Sequence, residues 1–298
     1  MQLGHLVPFG DIGGAPETVS DYACGVEALG YDFVEAPDHV LGANIASRPN
    51  WTGGNTSEDL FHDPFVLLSY LTGITPKLGF STGVLIVSQR QTALVAKQAA
   101  CLDVLCKGRF RLGIGVGWNE VEYVGLNENF HNRGRRSEEQ AQVMLALWKD
   151  KHVTFKGKYH TIEDAGINPR PASGRVPLWY GGHHEHTLPR IAKWGDGWMP
   201  NAYPPDQTAL DIFDQLRRLT EAEGRDPKSV GIEVWTSCGA GSEADWRKEA
   251  AFWKQAGASH LCLTTTFHRR HHHRIAGISL SDHLAALRRY RDAVADIL

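Results

Sequence analysis

Residues 108–122, GRFRLGIGVGWNEVE, decide the predicted fold. They follow a run from Thr92 to Leu105 in which apolar residues recur at helical spacing, and Lys107-Gly108 ends that helix. From Phe110 to Gly117, apolar side chains then alternate with arginine and glycine, as they do in a short strand. The pattern therefore predicts a helix, then a strand with three glycines on one face, then a loop over residues 118–120.

The glycine face of this strand allows two interpretations. Positions without a side chain at the end of a strand let a ligand or another backbone approach closely. The same glycines also suit tight packing inside a barrel. A glycine pattern on its own is weak evidence, so the spacing leaves both interpretations open.

The composition favours an ordinary globular protein. The chain has 298 residues, 42% of them hydrophobic and 22% charged, which supplies enough apolar material for one large core. The formal net charge of -3 gives no overall basic field, so neither nucleic acid nor an anionic membrane is expected as a partner. No apolar run is long enough for a membrane span, and MQLGHLVPFG does not resemble a secretory signal.

The five cysteines are scattered and include no C-x-x-C pair. This usage fits a reducing compartment better than a disulfide framework, so we expect a soluble cytoplasmic protein.

Strands and helices alternate along the whole chain. The predicted strands are Gln2 to Pro8, Tyr31 to Ala36, Lys77 to Val87, Phe110 to Gly117, Val176 to Tyr180, Gly197 to Pro200, Val230 to Thr236 and His260 to Thr264. The predicted helices begin near Pro16, at Asp63-Pro64, Thr92, Ser137, after Gly182, and at Thr208, Ala244 and Ser281. Eight strands alternating with helices predict an α/β protein with a (β/α)8 TIM barrel.

A doubly wound sheet is the alternative fold. Its dinucleotide fingerprint would place Gly-x-Gly-x-x-Gly in the first turn between strand and helix, and Gly10 to Gly14 does not fit that pattern. We therefore expect one barrel domain over residues 1–298, with insertions at about 40–62 and 151–175. The first insertion is polar and irregular, and the second contains a hairpin with Gly157 in its turn.

A parallel barrel places the ends of all its strands on one face, where such enzymes work. Four groups of candidate residues fall there: Asp38-His39, Gly83-Val84, Gly115 to Glu120, and Gly181 to His184. His39 is a candidate general acid or base, and Asp38 could fix its orientation. Gly181-Gly182 leads from a strand into a helix, so backbone N–H groups there would face a bound anion.

Two histidine-rich segments also lie at predicted strand ends. His183, His184 and His186 follow strand five, and Phe267 to Arg274 forms a basic loop after strand eight. A metal site needs ligands from several elements, and the chain lacks the His-x-His that usually begins a metal-dependent barrel hydrolase, so no metal site is expected. The basic loop is either a solvated surface or a contact for the anionic tail of a ligand.

Together these motifs resemble the luciferase-like monooxygenase superfamily, and within it the coenzyme F420-dependent oxidoreductases. The resemblance covers nearly the whole chain, with the motifs in order at sensible spacing. They are Asp38-His39, Ser81 to Val84, Ala96 to Ala100 with Leu102-Asp103, Gly108 to Trp118 with Glu120, Arg133 to Arg136, Gly181-Gly182 and Gly195 to Trp198.

The resemblance implies a barrel with a flavin or 5-deazaflavin across the C-terminal ends of its strands. Gly83-Val84 matches a non-proline cis peptide that the family places against the cofactor, and His39 matches a histidine near the reactive ring carbon. The usual serine before Asp-His is Pro37 here. The implied cofactor-binding residues are Asp38, Gly83, Val84, Gly115, Gly117, Trp118, Glu120, Gly181, Gly182 and His183, and the implied catalytic residues are His39 and Asp38.

The function expected from the resemblance is hydride transfer between C5 of coenzyme F420 and a small organic substrate, with residues 40–62 as part of a lid. An FMN-dependent monooxygenase served by a separate flavin reductase is one alternative. A flavin-binding barrel without turnover is another. Relatives are often dimers, so a homodimer is expected.

Overall fold

Residues Met1–Leu298, which a computed structural model describes in full, form eleven strands and ten α-helices. The strands are β1 (Gln2–Leu6), β2 (Phe33–Ala36), β3 (Gly79–Thr82), β4 (Leu85–Ile86), β5 (Phe110–Gly115), β6 (Val153–Lys156), β7 (Thr161–Ala165), β8 (Leu178–Gly181), β9 (Gly197–Met199), β10 (Gly231–Ser237) and β11 (His260–Thr264). The helices are α1 (Phe9–Ile12), α2 (Pro16–Ala28), α3 (Pro64–Thr72), α4 (Thr92–Leu105), α5 (Glu120–Gly125), α6 (Arg133–Lys149), α7 (Thr187–Trp194), α8 (Gln207–Ala222), α9 (Glu243–Ala256) and α10 (Leu280–Val294).

The parallel sheet closes on itself. The strand order is β3-β2-β1-β11-β10-β9-β8-β5, and β3 pairs with β5 to complete the ring, with Phe80 opposite Phe110. The predicted (β/α)8 barrel is confirmed. The short strand β4 continues the line of β3 and pairs with the end of β5.

The outer faces of the strands form the main core with the helices. On β5, Phe110, Leu112 and Ile114 are buried in that core. Arg111 points instead into the barrel, where its guanidinium lies 4.4 Å from the ring centroid of Phe33 and 4.5 Å from that of Trp179. The barrel interior is therefore partly polar, and aromatic rings enclose a charged group there.

Most predicted elements are present, and two occupy the predicted bounds: α4 at Thr92–Leu105 and β11 at His260–Thr264. Three predictions were wrong in detail. The third strand is not continuous but is interrupted at Gly83-Val84, where the peptide bond is cis. Gly117 lies outside β5, because its φ of 64° belongs to the left-handed region and not to an extended strand.

The predicted loop at 118–120 is the third correction, because a helix begins inside it. The Asn119 side chain accepts a hydrogen bond from the N–H of Val121 and so caps α5, which starts at Glu120. Asparagine followed by two glutamates within the first turn is a local helix signal, and it was present in the sequence.

The two predicted insertions differ in structure. Residues 40–62 contain no strand or α-helix, only the 3-10 turn Ile45–Ser47, and we call this segment the lid. Residues 153–165 form the hairpin of β6 and β7, with the N–H of Gly157 bonded to the carbonyl oxygen of His160 at 2.9 Å. No helix is both long and apolar enough to cross a lipid bilayer.

Candidate active site

The candidate site lies where strand ends β2, β3, β5 and β8 meet the lid, a region we call the mouth of the barrel. Contacts across it join residues far apart in sequence. The side chain of Val84 lies against both Gly115 and Gly181, and His39 contacts residues from the lid and from α5. The closed barrel therefore brings Val84 together with Gly115 and Gly181, and brings His39 together with the lid and α5.

His39 is held by a buried carboxylate. Its Nδ1 lies 3.3 Å from Oε2 of Glu122, a residue whose exposed fraction is 1%. Oε1 of Glu122 also accepts hydrogen bonds from the N–H groups of Val40 at 2.7 Å and Leu41 at 3.3 Å. Burial raises the pKa of Glu122, but these hydrogen bonds together lower it further than burial raises it, so the group is a carboxylate at neutral pH. An ionised carboxylate on one ring nitrogen fixes the orientation of the imidazole.

Glu122 was not among the residues predicted from the sequence, whereas Glu120 was. Glu120 is exposed at the start of α5, and its cofactor-binding role stays a prediction. The two glutamates differ because α5 turns about 100° per residue, which carries the second one inward. A helix recognised from its Asn119 cap would have distinguished the two faces.

The Asp38 carboxylate is bound by other groups of the protein. Its Oδ2 accepts the N–H of Ile86 at 2.9 Å, and its Oδ1 pairs with Nη2 of Arg90 at 2.7 Å. Arg90 in turn bonds Asp63, which caps α3. Burial is the largest influence and raises the pKa of Asp38, although the Arg90 guanidinium acts in the opposite direction. Asp38 therefore ties β2 to β4 and, through Arg90 and Asp63, to the start of α3. The expectation that Asp38 orients His39 was wrong, because Nδ1 of His39 faces Glu122, while the catalytic and cofactor-binding roles of Asp38 stay predictions.

Aromatic side chains surround His39. The ring centroid of Phe61 lies 4.7 Å from that of His39, and the centroid of Trp118 lies 6.1 Å away. Trp51 of the lid packs on Trp118 at 5.8 Å between centroids, and its buried Nε1 has no hydrogen-bond partner within the protein. Trp118 itself is 49% exposed. These three aromatic rings and the imidazole form a cluster that we call the recess, and its flat apolar surfaces suit a planar aromatic ring.

The Gly83-Val84 peptide is cis, as the family resemblance implied. A Cβ placed on Gly115 or Gly181 would lie 2.5 or 2.8 Å from methyl groups of Val84, and one on Gly117 would lie 2.9 Å from Ile86. The glycines of the decisive stretch therefore make room for side chains of the β3–β4 segment. Their contact with a cofactor stays a prediction.

The double glycine opens into an exposed turn before α7. Gly182 has a φ of 102°, which favours glycine, and its carbonyl oxygen accepts the Nε1–H of Trp198 at 3.0 Å. His183 bonds Oδ1 of Asn201 at 2.9 Å, and burial lowers its pKa. The N–H groups of Gly182 and His183 donate to no other group of the chain, so they can donate hydrogen bonds to an anionic ligand.

The basic loop after β11 reaches the same rim. His272 is buried, and its Nε2 lies 3.3 Å from the carbonyl oxygen of Asn201. Burial lowers the pKa of His272 to about 4, so this ring is neutral at pH 7. Arg270 is exposed and lies 3.4 Å from the same oxygen. The loop therefore supplies positive charge at the rim through its arginines and not through this histidine.

Three comparisons place this architecture among known proteins. Residues 1–295 match a family model described as luciferase-like monooxygenase. An uncharacterized protein of Mycobacterium tuberculosis is 32% identical over 210 residues, which cover 68% of this chain and 71% of the relative.

Two solved structures share the fold along the whole chain. A structure of an F420-dependent secondary alcohol dehydrogenase in complex with an F420-acetone adduct aligns with a TM-score of 0.75 at 20% identity and covers 98% of each chain. Monooxygenase RslO1 from Streptomyces bottropensis aligns with a TM-score of 0.77 at 15% identity and covers 99% of each chain.

Proposed function

The chain belongs to the luciferase-like monooxygenase family, and we propose that it is an F420-dependent oxidoreductase that transfers a hydride between C5 of the deazaflavin and a small organic substrate. The observation that carries the proposal is the His39–Glu122 pair beside the aromatic recess at the mouth of the barrel. A hydride transfer to or from a carbonyl or alcohol also moves a proton at the substrate oxygen. An imidazole held in a fixed orientation is suited to move that proton.

The described residues fit the proposed cofactor in two respects. The recess of Trp118, Trp51 and Phe61 offers apolar faces for a planar ring, and the free N–H groups at Gly182 and His183 suit an anionic side chain. When bound, F420 would supply the two-electron redox chemistry, because hydride exchange at C5 is a property of the deazaflavin.

The protein residues would orient, shield and move protons. His39 would hold or deliver a proton at Nε2, since Nδ1 is engaged by Glu122. The lid and Trp118 would exclude water from the recess. Asp38 and Arg90 would keep the β3–β4 segment in place beneath the ligand.

Titration of the purified protein with F420, and separately with FMN, tests the cofactor assignment. Trp118 and Trp51 line the recess, so quenching of tryptophan fluorescence should accompany binding. Tight binding of F420 with weak binding of FMN is the expected result, and it would be followed by a substrate screen with F420 and reduced F420. The reverse preference would move the protein to FMN-dependent monooxygenation with a partner flavin reductase. Binding of neither would overturn the cofactor assignment.

The variant His39→Ala separates an enzyme from a flavin-binding barrel without turnover. In the proposed enzyme, the variant keeps cofactor affinity within a few-fold, and its kcat falls by about 100-fold. If the wild type shows no turnover with any tested substrate and His39→Ala binds the cofactor with the same affinity, the non-catalytic alternative would replace the proposal. His152→Ala is a matched control, because His152 is an exposed histidine before the hairpin, away from the mouth.

A further inference from the structure

A second group of ionisable side chains lies inside the barrel, below the mouth. Glu35 of β2 and Glu233 of β10 are both fully buried, and a carboxyl oxygen of each lies within 4.8 Å of the other and of the Cys262 thiol on β11. Arg111 of β5 is the cation of this group, and its Nη2 lies 2.7 Å from Oε2 of Glu233. The function proposed above does not use these residues.

Two carboxyl oxygens in this group have no donor. Oε1 of Glu35 accepts the Nε1–H of Trp235 at 3.2 Å, but its Oε2 has no hydrogen-bond partner, and neither does Oε1 of Glu233. Buried carboxyl oxygens without donors are unfavourable. A proton on one carboxyl group would let it donate to the other, so a single proton accounts for both oxygens.

The charges of these buried side chains also indicate one proton on the two carboxyl groups. If both glutamates were ionised, two negative charges and one positive charge would be buried together, leaving a net negative charge out of contact with water. With one proton on the pair, a single carboxylate faces the Arg111 guanidinium and the group is neutral overall.

Glu35 also supports the floor of the mouth. A Cβ placed on Gly83 would lie 2.0 Å from Cδ of Glu35, so the carboxyl group lies directly against the Gly83 backbone. The Trp235 indole, held by Glu35, packs on Phe267 at 5.2 Å between centroids. The Glu35 side chain therefore contacts both the β3–β4 segment at Gly83 and the Trp235 indole, which packs on Phe267.

We propose that Glu35 and Glu233 share one proton, and that Glu35 is a neutral buried acid which positions Trp235 and the Gly83-Val84 segment beneath the mouth. The proposal does not depend on which cofactor binds above. Glu35 is a positioning residue in this scheme, because it acts through Gly83 and Trp235.

The groups that face Glu35 agree with the neutral form. Burial is the largest influence and raises its pKa well above the usual range for a glutamate, and the charge of Glu233 and the hydrogen bond to it raise the pKa further. Arg111 and the Trp235 N–H act in the opposite direction and do not reverse the shift. The pKa of the neighbouring Cys262 thiol is also raised well above its usual value by burial, so the thiol adds no charge.

Infrared difference spectroscopy of the protein without cofactor tests the shared proton. A protonated carboxyl group has a C=O stretching band that is separate from the carboxylate bands and shifts in D2O. At pH 8 we expect the wild type to show such a band and Glu35→Gln to lack it. Glu163→Gln, a matched change on the exposed face of the hairpin, should keep the band.

The variant Glu233→Gln changes the other carboxyl group of the pair in the same infrared experiment. It also keeps the proposal testable if Glu35→Gln does not fold. With Glu233 neutralised, Glu35 becomes the only carboxyl group next to Arg111 and should ionise, so the band should again be lost. A wild-type band that persists unchanged in both variants would overturn the proposal. So would a wild-type spectrum in which no band responds to either substitution.

The positioning role has its own readout. Glu35→Gln keeps an acceptor for Trp235 and a donor for Glu233, whereas Glu35→Ala keeps neither. We expect F420 affinity close to that of the wild type for the glutamine variant, and a loss of about ten-fold or more for the alanine variant. Equal affinities for the alanine variant and the wild type would refute the positioning role. Because the infrared test uses no cofactor, failure of the F420 assignment would leave it intact.

Discussion

At the residue scale, the candidate chemistry depends on the orientation of the His39 ring, which a single polar group sets. Nδ1 of its ring has one polar partner, Glu122, and that carboxylate is held in turn by the Val40 and Leu41 N–H groups. Phe61 and Trp118 pack edge-on against the same ring. Glu122 is thus the group through which the protein sets the direction of the imidazole.

Substitution of His39 and Glu122, singly and together, tests this arrangement. We expect His39→Ala to lower kcat by about 100-fold, as the loss of a general acid or base typically does. Glu122→Gln should lower kcat by about ten-fold through misorientation of the ring. The double variant should be no slower than His39→Ala, because Glu122 acts through His39. Effects of the two changes that simply multiply would contradict the arrangement.

Gly113 of β5 shows how closely the strands approach one another at this level of the barrel. A Cβ at Gly113 would lie 2.0 Å from the carbonyl oxygen of Thr82, which is backbone and cannot rotate away. We expect Gly113→Ala to lower the free energy of unfolding by about 1–3 kcal/mol, measured by urea denaturation. Gly54→Ala is the control, because nothing lies within 4 Å of that position, and it should change stability by less than about 0.5 kcal/mol. Equal effects of the two changes would argue against the tight β3–β5 contact.

At the element scale, the lid lacks regular structure yet is attached at defined points. Ala43 and Thr56 form an isolated bridge across it. The Asn55 side chain is buried and donates to the carbonyl oxygen of Leu41 at 3.1 Å, and Asn119, the cap of α5, donates to the same oxygen at 3.3 Å. The lid is therefore held to itself and to the loop that follows β5.

Loss of the Asn55 contact should loosen the lid without unfolding the barrel. We expect Asn55→Ala to make residues 40–62 several-fold more sensitive to limited proteolysis, because one of two donors to the Leu41 oxygen is removed. The thermal midpoint should move by only a few degrees. Asn50→Ala, at an exposed position of the same lid, is the control. Unchanged cleavage in Asn55→Ala would show that this contact does not hold the lid.

At the scale of the whole molecule, buried histidines make stability depend on pH. Burial lowers the pKa of His5 and His283, and it lowers that of His260 to about 2. An unfolded histidine titrates near 6.5, so below that pH the unfolded chain binds more protons at these sites than the folded protein does. Their contribution to stability is complete above about pH 6.5 and falls as the pH is lowered.

The variant His260→Gln measures the contribution of one buried histidine to the pH dependence of stability. The comparison is needed because buried carboxyl groups with raised pKa change stability with pH in the opposite direction. Between pH 6.5 and pH 5, we expect the drop in unfolding free energy of the variant to be smaller than that of the wild type by up to about 2 kcal/mol. Urea denaturation at both pH values gives the comparison. The exposed His152→Gln should follow the wild type. A variant with the pH dependence of the wild type would mean that His260 is protonated in the folded state.

The homodimer expected from the family resemblance remains a proposal about the whole assembly. Adjacent helices α3 and α4 leave Val66, Tyr70, Leu94 and Leu105 between 45% and 69% exposed, and a second copy of the chain is the occupant we propose for this face. Leu94→Glu should convert the dimer to a monomer in sedimentation experiments. Val124→Glu, at a 75% exposed position of α5, should leave the dimer intact. A wild-type monomer would refute the proposal directly.

The sequence by itself determined the barrel, the order of its elements and the set of strand ends that form the mouth. Apolar periodicity is local, so α4 and β11 were predicted at their observed bounds. The position of His39 beyond β2 follows from the same pattern, because every parallel strand of a barrel ends on one face.

Tertiary structure alone decided which polar groups meet. Glu122 and His39 are 83 positions apart, and the partners Glu35, Arg111 and Glu233 come from three different strands. Contacts of this kind depend on the closure and register of the sheet and on side chains pointing inward, none of which is encoded in a short window of sequence. The glycines of β5 show the same limit: their spacing was visible in the chain, but only the folded barrel shows that Val84 and Ile86 fill the space they leave.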